Sequence, residues 1–231
     1  MRRALLLRLA GLVAMASLPG VALGACSSEG VPAPDAGPVG CTLAPLGDPT
    51  QPAQVQVLAL GPDMTAVTLQ DGDPVTLAFP PQGGRVIFAG VRATNVDPCA
   101  VQLEGVVRDE TTLEVRLDSR TIDLKPTGDG WGASDPTDVS TFSNIPVCPN
   151  EWSKTNIYGT EYELEVTITE RSGRAETRTL KVTPACSDPA TAAVCLCICQ
   201  GGYVLGQTCA ADAGEGGAAA GDGGDGGDGG P

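Results

Sequence analysis

The chain has 231 residues, twice as many acids as bases (28 Asp and Glu against 14 Lys and Arg), a formal net charge of −14 and no histidine. That acidity disfavours nucleic acid, whose phosphates require Lys and Arg, and peripheral adsorption to anionic lipid heads. The missing histidine removes Ser-His-Asp and Cys-His nucleophile systems, imidazole metal sites and the usual general base near neutral pH.

No Ser-x-x-Lys, no Walker-type loop and no GxGxxG following a strand occurs. No catalytic residue, metal site or cofactor is therefore expected, and the reading is that the protein is not an enzyme.

Arg2, Arg3 and Arg8 form a positive n-region. Leu5 to Leu18 is almost wholly apolar, and Pro19-Gly20 breaks a helix before a small-residue site. This is the layout of a secretory signal, too short for a spanning helix of ~20 apolar residues. Leu23-Gly24-Ala25-Cys26 resembles the lipobox of bacterial lipoprotein precursors. The resemblance implies removal of residues 1–25 and diacylglycerol on the Cys26 sulfur, usually with a third acyl chain on its amine. Two chains already anchor stably, at ~0.8 kcal/mol per buried methylene. Ser27-Ser28 in place of Asp, by resemblance to Gram-negative lipoproteins, implies sorting to the outer membrane, on its periplasmic face or at the cell surface. The alternative is an ordinary signal peptide that leaves Cys26 a plain thiol. Cleavage would remove three arginines and no acid, carrying the net charge from −14 to −17.

Nine cysteines is an odd number for an exported chain, where disulfides are favoured. Giving Cys26 to lipid leaves Cys41, Cys99, Cys148, Cys186, Cys195, Cys197, Cys199 and Cys209, enough for four bridges.

Residues 26–52 read as the lipidated cysteine and a flexible tether. Positions 27–40 are mostly Ser, Gly, Pro and Ala, which cannot bury a core. Fully stretched at ~3.3 Å per residue, they would span roughly 45 Å.

From 53 to 184 the hydrophobic period is two, the pattern of half-buried strands. Val55, Val57 and Ala59 alternate with polar or outward positions, and Val75, Leu77 and Phe79 follow the turn Asp71-Gly72-Asp73-Pro74. After Pro80-Pro81-Gln82-Gly83-Gly84 comes a long apolar strand, Arg85 to Thr94. Val101, Leu103 and Val107 form the apolar side of the next strand, then Leu113, Val115 and Leu117 against Glu114, Arg116 and Asp118, then Ile122 with Leu124. Tyr162, Leu164, Val166 and Ile168 alternate most clearly, and Ser172-Gly173 turns them into a strand whose Leu180 and Val182 face in. Short strands separated by turn signals, without a helical period, indicate an all-β antiparallel sandwich.

The last hairpin, Tyr162-x-Leu164-x-Val166-x-Ile168 through Gly173 to Leu180-x-Val182, is similar to the closing hairpin of bacterial immunoglobulin-like and PKD-like domains. That likeness implies an immunoglobulin-like sandwich, with Tyr162 in the place of a tyrosine corner.

Between Leu124 and Tyr162 alternation lapses, with a short strand conceivable near Val139 to Phe142. This stretch holds Trp131, Phe142, Trp152 and Tyr158, half of the eight aromatics. Long loops are often functional. Trp131, Trp152 and Tyr158 are the candidate binding loop, a stacking surface for sugar, peptide or protein. The competing reading folds the tryptophans back to plug the open end of the sandwich. Acids at Asp71/Asp73, Asp109/Glu110, Asp129 and Asp135/Asp138 invite a calcium reading, but Asp-Gly and Asp-Pro are first of all turn formers.

Residues 185–211 form a Cys-rich appendix. Cys197-x-Cys199-x-x-Gly202-Tyr203-x₅-Cys209 is similar to the C-terminal half of an EGF-like module. By that resemblance Cys199 pairs with Cys209 and Cys197 with a cysteine upstream, Cys186 being the candidate; the segment departs from the module in holding five cysteines, not six, a count that borrowing Cys148 would complete. Zinc held by thiolates is the competing chemistry, and it requires reduced cysteines. Residues 212–231 read as a disordered acidic Gly-rich tail.

The functional expectation is a non-enzymatic, lipid-anchored cell-envelope module for binding or structure, with an envelope protein as partner. The alternatives are a carbohydrate-binding or adhesion module using the loop aromatics, and an envelope hydrolase.

Overall fold

A computed structural model describes residues 41–80, 83–149 and 154–209. The alternating stretches become β1 (Gln54–Leu60), β2 (Ala66–Thr68), β3 (Asp73–Thr76), β4 (Arg85–Thr94), β5 (Val101–Arg108) and β6 (Val115–Ile122). There follow β7 (Lys125–Pro126), β8 (Trp131–Ala133), β9 (Ser143–Cys148), β10 (Tyr162–Thr169), β11 (Ala175–Ala185) and one short helix, α1 (Ala192–Ile198). One sheet runs β2-β1-β4-β8-β7, with β9 also paired to β4. The other runs β3-β11-β10-β5-β6. Every pairing is antiparallel except β3 with β11. The architecture is all-β, two sheets in the manner of a sandwich.

The inward side chains are those the alternation marks. Val55, Val57 and Ala59 meet Ile87, Ala89, Val91 and Ala93 in one sheet, and Leu103, Val107, Leu164, Val166 and Val182 in the other. β4 is buried on both faces. Its outward Val86 and Phe88 join Leu58, Leu60, Ala78 and Phe142 in a second, smaller core. Phe142 closes that core by lying over Gly90, where an added Cβ would fall 2.5 Å from the ring. This explains a strand without polar alternation.

The stretch after Leu124 is largely structured. Trp131, Gly132 and Ala133 pair with Thr94, Ala93 and Arg92, and β9 pairs farther down the same edge of β4. Val139–Thr141 is a 3₁₀ turn, not a strand, with Asp138 accepting from the Ser140 N–H at 3.0 Å.

Strand β6 corrects the expected facing. Val107, Gly105 and Leu103 lie opposite Leu164, Val166 and Ile168, so they face in. Their partners on β6 are Arg116, Asp118 and Arg120. Residues directly opposite share a face, so the charged set points inward and Val115 and Leu117 outward. Leu117 is 55 % exposed, while Leu113 has left the strand for a turn at φ 62°. The charges are tolerated because β6 is an edge where the sheets meet through polar groups. Asp118 Oδ2 accepts the Asn144 N–H at 2.7 Å, and its carbonyl accepts from Ser143 Oγ at 2.9 Å. Inward charges on an edge strand also oppose pairing with another chain. Phe79 likewise turns out to solvent, its ring 4.7 Å from the guanidinium carbon of the buried Arg85.

The folded region begins before residue 53. Cys41 is bridged to Cys99, and Leu46 is buried and pairs with Val96. Arg174 clamps this end, donating from Nη1 to the carbonyls of Pro49 (3.0 Å) and Gln51 (3.1 Å), from Nη2 to that of Asn95, and to Glu170 Oε1. This pole carries the β10–β11 turn. The opposite pole, at the far end of β11 roughly 30 Å away, carries the Cys-rich segment.

All eight described cysteines pair: Cys41–Cys99, Cys148–Cys199, Cys186–Cys195 and Cys197–Cys209. Cys148 joins the Cys-rich segment, but the Cys199–Cys209 and Cys186–Cys197 pairings that the EGF resemblance implies are not formed. The reason is the helix. Cys195 and Cys199 are four residues apart, so both face the sandwich and are buried, whereas Cys197 lies between them on another face and takes Cys209.

Candidate functional site

A surface groove of about 600 Å³ lies at the far pole. That volume lies within the usual range for ligand sites, roughly 300–1,000 Å³. One wall starts where β1 ends. Leu60 leads into a turn in which the Gly61 N–H donates to the Thr65 carbonyl (2.9 Å) and the Thr65 N–H donates to Asp63 Oδ1 (3.0 Å). The chain returns as β2 with Val67 52 % exposed. The other wall is β3, with Pro74, Val75 and Thr76, and the segment Ser187-Asp188-Pro189. Thr76 and Ser187 hydroxyls lie 2.7 Å apart and hold that segment against β3. Asp188 accepts the Ala190 N–H at 3.1 Å and the Thr191 hydroxyl at 2.8 Å.

The groove separates β2, the end strand of one sheet, from β3, the end strand of the other. Its charged groups are Asp63 and Asp188, with no lysine or arginine in the lining. Neither acid enters an ion pair among the described residues. The Thr65 backbone N–H, then the Thr65 hydroxyl, holds Asp63 below the usual carboxylate range, so it stays ionised.

The acids that invite a calcium reading are engaged elsewhere. Asp71 accepts the Lys181 N–H (2.8 Å), Asp73 the Gln70 N–H (2.7 Å) and Asp109 the Thr111 N–H (2.8 Å). Glu110 pairs with the Lys181 ammonium. Asp129 pairs with Arg92, and the Thr127 hydroxyl is the first cause of its lowered pKa. The Lys125 ammonium, 2.8 Å away, pulls Asp135 down to about 2. Two clusters bring sulfur atoms together, Cys186, Cys195 and Cys199 in one, and Cys41 and Cys99 beside Asp123 in the other. All of those sulfurs sit in bridges and present no thiolate.

Of the candidate aromatics, Trp131 and Tyr158 lie at opposite poles. Trp131 lies on β8 near the Cys41 pole, one ring face covered by the Arg92 guanidinium at 4.4 Å. Arg92 is held in turn by Gln56 at 3.2 Å and by Asp129. Tyr158 is half-buried at the other pole, packed on the main core, and the next residue's N–H donates to the Pro184 carbonyl at 2.9 Å. Trp152 lies outside the described residues, as does Cys26. A sugar could stack on Trp131 only from the face that Arg92 leaves open.

Sequence reasoning missed the groove. Its only local signal is Gly61-Pro62-Asp63, an ordinary turn, because the walls belong to strands that do not pair with each other. No protein-family model matches the chain, and no curated protein matches it in sequence.

Proposed function

We propose that the protein is an exported, lipid-anchored cell-envelope module that binds a partner and performs no chemistry. The observation that carries this reading is the polarity of the domain. The chain enters the described region at Cys41, locked by Cys99 and the Arg174 clamp at one pole. The groove and the Cys-rich cap lie at the other. Cys26 stands fifteen residues before Cys41, so a lipid there would tether the domain through its Cys41 end, away along the chain from the groove and the cap. No helix among the described residues is long and apolar enough to cross a membrane.

An immunoglobulin-like or PKD-like domain is supported by the closing hairpin β10–β11, the buried Tyr162 at the start of β10, and the parallel β3–β11 pair at that sheet's end. Expression in a Gram-negative host with radiolabelled palmitate tests the anchor. The wild type should be labelled and recovered with outer membranes, and Cys26→Ala should be unlabelled. Equal labelling of the two would refute the reading.

A further inference from the structure

We propose that the far-pole groove is a docking site for an extended segment of a partner protein carrying an aliphatic or aromatic side chain flanked by Lys or Arg. The inference rests on the binding-module reading and names the partner's chemistry.

Three observations lead to it. Val67 is a half-exposed aliphatic side chain on the groove wall, whereas Leu60 and Val75 beside it are buried. An apolar side chain entering here removes that surface from water. The only charges in the lining are Asp63 and Asp188, both without an ion-pair partner among the described residues, in a chain of net charge −14. The field of the whole chain and the local carboxylates thus both favour a cation beside the apolar contact. Pro62, Pro74 and Pro189 remove backbone donors from the walls, so recognition is by side chains more than by a full strand ladder. The groove opens along the surface, which suits a passing polypeptide better than an enclosed small molecule.

The probe is the peptide acetyl-Lys-Leu-Lys-Phe-Lys-amide, titrated into the ¹⁵N-labelled full chain and compared with its counterpart carrying Glu at each Lys. The cationic peptide should shift amides at Gly61, Thr65, Val67, Thr76 and Ser187, and the acidic one should shift none. Asp63→Asn with Asp188→Asn keeps the acceptor oxygens of both turns and removes only charge, and should weaken binding by about tenfold. Val67→Thr should weaken it independently. Absence of shifts, equal shifts with both peptides, or shifts spread over the acidic surface would overturn the proposal. So would an equal loss from Asp129→Asn with Asp138→Asn, which removes the same charge elsewhere. Palmitate labelling at Cys26 does not depend on the groove, so the two readings can fail separately.

Discussion

The Cys148–Cys199 bridge joins the end of β9 to the Cys-rich cap, and its removal should weaken the whole domain. Its partners are 51 residues apart, and closing a loop of that length restricts the unfolded chain by about 4 kcal/mol. Both cysteines are buried in the main core, so the native state holds them without help from the outer loop. Both must be replaced together. The sulfurs of Cys186, Cys195 and Cys199 lie within 4.8 Å of one another, and a lone thiolate at 199 would exchange with the Cys186–Cys195 bridge. Cys148→Ala with Cys199→Ala should therefore lower the urea-derived stability by about 4 kcal/mol and the melting temperature by about 8–15 °C. The comparison is Cys197→Ala with Cys209→Ala. That bridge closes only 12 residues within the cap, and Val204 and Leu205 of its loop are mostly exposed. Its loss should loosen residues 200–207 in the folded protein as well as in the unfolded chain, so amide exchange there should speed up and the stability of the sandwich should fall by clearly less than the ~3 kcal/mol by which closing such a loop restricts the unfolded chain. Equal global losses from the two double variants would refute the assignment of Cys148–Cys199 as the staple between cap and core.

Two further outcomes follow from the polar edges. On β6, Leu117→Thr should change stability by less than about 0.5 kcal/mol, since the side chain points to solvent. Asp118→Ala should cost about 1–3 kcal/mol by leaving the Asn144 N–H without its acceptor; urea titrations that reverse this order would restore the opposite facing. Acid should destabilise the fold through Asp135, whose folded pKa of about 2 lies below its ordinary 3.8. Between those values the unfolded chain binds more protons, so the contribution is complete above pH 4 and lost as pH falls toward 2. Asp135→Asn should flatten that part of the stability profile, measured as urea midpoints at pH 5, 3 and 2. An unchanged slope would exclude the Lys125 contact as its source.

Much of the inner core is legible along the chain. Strand β10 buries one face only, so alternation alone assigns Leu164 inward, and the same period of two assigns Val57 on β1 and Leu103 on β5 inward, as the structure shows. Even cysteine parity after setting Cys26 aside is a property of composition. It says nothing of partners: pairing depends on which cysteines a helix turns toward the sandwich, and only folding places Cys195 and Cys199 on that face. The β6 error has the same origin. A strand's own pattern proposes a face, but the register with β5 decides it, and the polar contacts to Ser143 and Asn144 make a charged inner face acceptable. Phe142 could not be placed because the second core it closes is made from the outer faces of β1 and β4. The groove is the extreme case. Its walls come from residues 59–67, 74–76 and 187–189, brought together as the end strands of separate sheets. Local sequence determines which residues want burial; tertiary closure alone determines which edges are left facing each other, and so where this protein has room for a ligand.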